Sequence, residues 1–223
     1  MPWLVLGFGL LIVPLGAVSI FFIIIQPILF DTWCGLCLIT AVITVLMIPY
    51  AADELFATTQ FLSRSWRAGR PFWRTFWRGG QLPGGTRDDN PGIDSPIGVV
   101  LKTFTTGGVT YPWTLVAVTA LGIVLMCTRL LFDASGAMAD SDHLLGCLII
   151  AVSVTAFAEV ARPLRFLSVP MGAWLIAAPF VLQGATTLGT IASVRIGAAV
   201  IALSLPRGKL SGEHYGGWDR YIV

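Results

Sequence analysis

The chain has 223 residues, 56% hydrophobic and only 12% charged, with a net charge of +2. That charged share is about half of what a globular surface carries, so a soluble domain is excluded and no nucleic-acid partner is expected. Four cysteines are too few for a disulfide scaffold.

Crossing about 30 Å of hydrocarbon takes about 20 apolar residues, and the chain is read here against that length. The first such run spans about Trp3 to Gln26, with no ionisable residue and with Pro14 and Pro27 to bend or end it. It is too long for a signal peptide and lacks a positive n-region, so it is expected to stay as a span. A short link, Phe30-Asp31-Thr32-Trp33, leads to the second run, about Cys34 to Ala52, closed by Asp53 and Glu54. The third runs from about Trp113 to Phe132, behind an interface anchor at Tyr111-Pro112-Trp113. The fourth covers about Leu144 to Val160; the fifth (about Leu167 to Gln183) and sixth (about Leu188 to Leu205) are shorter and richer in Gly and Ala. Small residues there let helix backbones approach closely. The fifth and sixth also fit a re-entrant pair, which makes four spans the lower bound.

Lys and Arg are segregated. Arg64, Arg67, Arg70, Arg74, Arg78, Arg87 and Lys102 follow the second run, Arg162 and Arg165 follow the fourth, and Arg207, Lys209 and Arg220 close the chain. The links Asp31 to Trp33, Asp133 to His143 and Gly184 to Thr187 hold none. By the positive-inside rule, six spans with both termini cytoplasmic satisfy every loop. The expectation is an all-α, polytopic protein of the cytoplasmic membrane of a prokaryote, with the lipid bilayer as its first partner.

Phe61 to Arg78 reads FLSRSWRAGRPFWRTFWR. At about 100° per residue its five arginines share roughly one third of a helical circumference, with Leu62, Trp66, Phe72, Trp73, Phe76 and Trp77 on the remainder. This is an interfacial amphipathic helix, with Arg64, Arg67, Arg70, Arg74 and Arg78 toward headgroups and Trp66, Trp73 and Trp77 toward the apolar layer. Pro71 kinks it or starts its second half. A bilayer anchor is the favoured role and docking onto a partner subunit the other. Gly79 to Pro112 is Gly/Pro-rich, and only Ile97 to Phe104 is apolar enough to pack.

Trp33-Cys34-Gly35-Leu36-Cys37 is the motif with a mechanism attached. Two thiols three positions apart at a helix N-terminus close a disulfide with little distortion, and the positive end of the helix favours a thiolate on Cys34. The charge pattern puts the pair on the outer side, where thiol oxidation is normal. Thiol–disulfide exchange, a static disulfide and two buried apolar thiols all fit the motif. Zinc wants four ligands and finds only His143 and Cys147 beside this pair, so no metal is expected. Cys127 and Cys147 fall at similar depth and fit a second thiol pair, or two small buried hydrophobes. Glu159 and Arg195 are the intramembrane charges. Glu159 is expected to pair with Arg162 within one turn, whereas Arg195 has snorkelling, pairing and headgroup binding open to it. His214 is expected to be solvated.

Asp31-Thr32-Trp33-Cys34-Gly35-Leu36-Cys37-Leu38-Ile39-Thr40, with the span before it, resembles the closing part of the vitamin K epoxide reductase bundle over residues 3–60. The resemblance implies that Cys34 and Cys37 are the quinone-proximal pair and that a quinone is the cofactor. It also implies that another membrane subunit supplies the missing helices and shuttle thiols. Leu144-Leu145-Gly146, Ala156 to Phe166 (AFAEVARPLRF) and Gly172 to Phe180 (GAWLIAAPF) resemble the SPW-repeat membrane family over residues 112–206. A faint internal echo joins Pro112-Trp113 to Pro170-Met171-Gly172-Ala173-Trp174; this resemblance implies paired helices and no chemistry. The expected organisation is therefore a helix pair with CxxC (1–60), a basic amphipathic helix and cytoplasmic loop (61–111), a four-helix SPW-like domain (112–206) and a cytoplasmic tail (207–223). The tail ends in Tyr215-Gly216-Gly217-Trp218-Asp219-Arg220-Tyr221, to which no role attaches. Two functions fit: a membrane thiol–disulfide oxidoreductase exchanging electrons with a quinone or a partner disulfide, or a non-catalytic structural or assembly subunit of a larger membrane complex.

Overall fold

A computed structural model describes residues 1–80, 96–99 and 108–211. Arg87, Lys102, His214, Arg220, the Tyr215–Tyr221 pattern and most of the Ile97–Phe104 stretch lie outside the described residues. The described chain is helical, with a single isolated bridge between Val109 and Ala158.

Helix α1 spans Pro2–Leu29, with proline at its first position, where a missing N–H costs nothing. Helix α2 spans Gly35–Arg67 and runs antiparallel against it. Gly9 receives Leu55 and Gly16 receives Ile48; an added Cβ would fall 2.4 Å and 2.9 Å from those side chains. Both glycines and both partners are seven residues apart, the spacing that keeps one seam facing another.

Asp53 and Glu54 do not end α2. The helix continues to Arg67, taking up the first half of the expected amphipathic segment. It stops in a glycine cap: Arg70 N–H donates to Ser65 O at 3.1 Å, Gly69 N–H to Trp66 O at 2.9 Å, and Gly69 has φ +75°. Pro71 then caps α3 (Phe72–Arg78), the second half of that segment. Trp77 packs on Trp3 of α1 with ring centroids 5.5 Å apart, and Trp66, Trp73 and Trp77 are all exposed.

Helix α4 is Trp113–Met126, broken at Cys127 and followed by a turn of helix at Thr128–Leu131. Helix α5 is Gly136–Thr155, starting eight residues before the expected Leu144. A 3-10 segment, Glu159–Leu167, replaces the expected end of that span and feeds α6 (Ser168–Val181); α7 is Thr187–Ser204. Five stretches are long and apolar enough to cross a membrane: α1, α2, α5, Glu159–Val181 and α7. Helix α4 is a shorter sixth apolar helix; with the turn through Leu131 it reaches about 28 Å at 1.5 Å per residue. The chain is an all-α polytopic membrane protein.

Helices α4 to α7 share a core of Val118, Leu125, Leu145, Ile149, Leu175, Ile196 and Val200. Within it α4 crosses α5 at Gly122 and Gly146, and α6 crosses α7 at Gly172 and Gly197, each glycine so close that a Cβ would lie 2.6–3.0 Å from a carbonyl oxygen opposite. The second crossing repeats the first 50 and 51 residues later. The Pro–Trp echo does not share that register. The α1–α2 hairpin joins this four-helix unit along α5, through Val45, Val109, Leu115, Val154, Ala156 and Phe157. Links 30–34, 127–135 and 182–186 gather at one end of the bundle, tied by Arg129–Asp31, Ser135–Gly184 and Thr186–Phe132 contacts. Residues 108–112, 156–167 and 205–211 meet at the other, tied by Thr110–Phe157, Arg162–Thr110 and Glu159–Ser211.

Candidate functional site

The CxxC occupies the arginine-poor end. Cys34 is the N-cap of α2, with φ −96° and ψ 108°, and its sulfur accepts the Cys37 N–H at 3.3 Å. A thiol thus stands where serine or aspartate usually caps a helix. Its own N–H donates to Gln26 Oε1 of α1 at 3.2 Å, which fixes the loop against the preceding helix. Both cysteines are partly exposed free thiols. The Cys37 thiol and backbone N–H, both hydrogen-bonded to Cys34 sulfur, hold the Cys34 thiol below its ordinary pKa.

Beside the pair lies an open, mostly apolar groove of about 510 Å³, bounded by Trp33 and Leu38 on one side and by Met126, Cys127 and His143 on the other. Leu38 follows Cys34 by one helical turn and so shares its face of α2. Trp33 meets His143 edge-on at 5.2 Å, and His143 Nε2 lies 3.0 Å from Ile23 O and 3.6 Å from Cys147 sulfur. Arg129 bridges Asp31, at 3.2 Å, and Asp140. Asp31 sits at φ 48°, a left-handed position that aspartate tolerates, and this turn brings it back toward Arg129. The groove is therefore built by both halves of the chain, with Arg129 holding them together.

The Gln26 contact to Cys34, the Asp31–Arg129–Asp140 bridge and the contacts of His143 join distant positions and carry no signal in the sequence. Of the second cysteine set, Cys127 lines the groove, whereas Cys147 is buried and lines a separate small cavity of about 40 Å³ between α1, α2 and α5. Among the described residues no group of three or more His, Cys, Asp and Glu is arranged to hold a metal ion.

The other singled-out residues are elsewhere. Arg64, Arg67, Arg70, Arg74 and Arg78 line the far end of α2, its cap and α3. Arg195 is exposed on α7. Glu159 accepts the Ser211 N–H at 2.6 Å and its hydroxyl at 2.9 Å, while Arg162 turns inward to Thr110.

Comparison with known families matches residues 112–206 to the SPW repeat domain, the stretch that folds as α4 to α7. No curated protein and no solved structure matches the chain. These comparisons give no support to the resemblance of residues 3–60 to the vitamin K epoxide reductase bundle.

Proposed function

We propose that this protein is a membrane thiol–disulfide exchange protein in which Cys34 is the attacking thiol and Cys37 the resolving one. The observation that carries the reading is Cys34 as the cap of α2: its sulfur takes the Cys37 N–H, its pKa is lowered, and the apolar groove begins one residue away on either side of the motif. A thiolate here keeps that hydrogen bond and gains from the helix dipole.

The Cys34 thiolate attacks one sulfur of a partner disulfide. The partner S–S bond breaks, a mixed disulfide forms at Cys34, and one partner thiolate leaves. Cys37, after losing its proton to that thiolate, attacks Cys34 sulfur. The second partner thiolate leaves, two electrons have passed to the partner, and a Cys34–Cys37 disulfide remains. With a quinone as acceptor, the two electrons and two protons of the dithiol yield the hydroquinone. Trp33, Leu38 and Met126 offer such a ring an apolar seat. The lysine and arginine distribution supports a prokaryotic cytoplasmic-membrane protein with both termini inside and the thiols outside.

The test is trapping. The Cys37→Ser protein, treated with an aromatic disulfide reagent, should stall as a mixed disulfide at Cys34, and wild-type dithiol should reduce a short-chain benzoquinone mole for mole. No adduct at Cys34, together with a dithiol inert to the quinone, would sink the reading. A second reading, an assembly subunit, draws on one observation: only 17% of the apolar window of α1 is buried within the chain, leaving surface for the helices of another subunit. It expects Cys34→Ala/Cys37→Ala protein to co-purify with a second membrane chain at wild-type yield.

A further inference from the structure

At the opposite end of the bundle, Arg162 and Arg165 are buried without an ion pair among the described residues. In the 3-10 segment Glu159–Leu167 residues three apart eclipse, so Arg162, Arg165 and then Ser168 turn inward while Leu164, Phe166 and Leu167 stay exposed. Arg162 is 1% exposed. Its Nη2 donates to Thr110 Oγ1 and, at 3.4 Å, to the carbonyls of Thr110 and Phe157, leaving Nε and Nη1 without partners on either side. Arg165, 6% exposed, donates to Ser204 O at 3.1 Å and to Arg162 O at 3.3 Å. The hydroxyls of Ser168 and Ser204 are buried and unpartnered as well.

Every acceptor these two guanidiniums reach is neutral, and neither forms an ion pair among the described residues. Exposed Arg207 adds a third positive charge that bears on both, and Glu159 is the acid whose charge reaches Arg162. Buried charge is retained when it is paired and its donors are used. Among the described residues, Arg162, Arg165 and Arg207 against Glu159, with two unused guanidinium donors and two unused hydroxyls, describe a receptor for an oxyanion carrying more than one donor-seeking oxygen. Guanidinium suits phosphate best among such groups, through charge-assisted and directional hydrogen bonds. The flanking exposed Leu164, Phe166 and Leu167 put the cluster beside lipid-facing surface.

We propose that Arg162, Arg165 and Arg207, with Ser168 and Ser204, form a phosphate-binding site at the arginine-rich end. Residues 205–211 are tied beside it, with the Thr110 hydroxyl donating to Lys209 O and the Ser211 N–H to Glu159. The phosphate is that of a phospholipid headgroup or of free phosphate. This site is independent of the thiol chemistry at the other end.

The full chain in an uncharged detergent, free of phosphate, is titrated with inorganic phosphate and, separately, with dioleoyl phosphatidylglycerol in mixed micelles. Chloride at matched ionic strength and dioleoylglycerol, which lacks phosphate, are the controls. A saturable rise in the thermal midpoint is expected with a phosphate-bearing ligand and absent from both controls. Response to the lipid alone assigns the headgroup; response to inorganic phosphate assigns the free ion. Arg165→Gln should weaken apparent binding about tenfold. Arg207→Gln, an exposed change that leaves the core intact, should weaken it about threefold. No response to either ligand overturns the proposal. So does an equal response to dioleoylglycerol, or wild-type binding by Arg207→Gln together with Arg165→Gln.

Discussion

Gly146→Ala puts the tightest contact between α4 and α5 to the test. The new methyl would sit 2.7 Å from Gly122 O and 3.0 Å from both Met126 N and Met126 Cγ. Two of these three neighbours are backbone, so no side-chain rotation clears the space. A carbon beside a carbonyl oxygen settles at about 3.3 Å or more, which requires the helices to part by about 0.6 Å at the crossing. Helix α4 cannot move alone, because Val118 and Leu125 on it share a core with Leu175, Ile196 and Val200. Overpacking of this kind costs about 1–3 kcal/mol. Gly7→Ala is the matched control: it lies within α1 with nothing inside 4 Å of its added Cβ, and should stabilise by about 0.5–1 kcal/mol. Reversible unfolding of both variants in mixed detergent micelles, followed by tryptophan fluorescence, reads the difference. Gly146→Ala matching wild type within about 0.5 kcal/mol, well under the overpacking range, would refute the close crossing.

Two further outcomes follow from positions at the thiol end. Cys34 has a lowered pKa, so its thiolate persists to lower pH than an ordinary thiol and is lost by protonation below that point. Its alkylation rate should therefore rise early in a pH series, and Cys37→Ala, which removes the thiol donor, should move the midpoint back up; an unmoved midpoint would dismiss the Cys37 contact as its cause. Gly184 has φ +97° and a phantom Cβ 1.9 Å from Ser135 O. Gly184→Ala should lose at least about 2 kcal/mol from left-handed strain and displaced backbone together, with faster proteolysis at residues 182–186 as the readout.

Hydropathy located the apolar stretches because each is continuous, and the arginine segregation matched the two ends of the bundle. What it missed were boundaries where polar residues are accommodated inside a helix. Asp53 reads as a return to water, yet it is fully buried and not without a partner, and α2 runs 14 residues beyond it. Helix α5 begins at Gly136 because Asp140 meets Arg129 and His143 meets Ile23 O, contacts that join residues 11 and 120 positions apart. The CxxC could be read as a helix-capping pair from spacing alone. The groove beside it could not, since it depends on how the α1–α2 hairpin lies along α5. The inward face of Arg162 and Arg165 is hidden for another reason: a three-residue period suits a 3-10 segment, and in the sequence the two arginines read as a link between spans.

Helix α2 has 33 residues, about 50 Å at 1.5 Å per residue, well beyond the about 30 Å of a hydrocarbon layer. One continuous rod thus carries the thiols on one tip and Arg64 and Arg67 on the other. Pro49, inside the rod, is its one natural hinge. If the rod tilts as a unit, ten degrees about its midpoint carries each tip sideways by about 4 Å. That is more than the length of the Cys34–Cys37 hydrogen bond. Whatever shifts the arginine tip therefore also shifts Cys34 relative to the groove beside it.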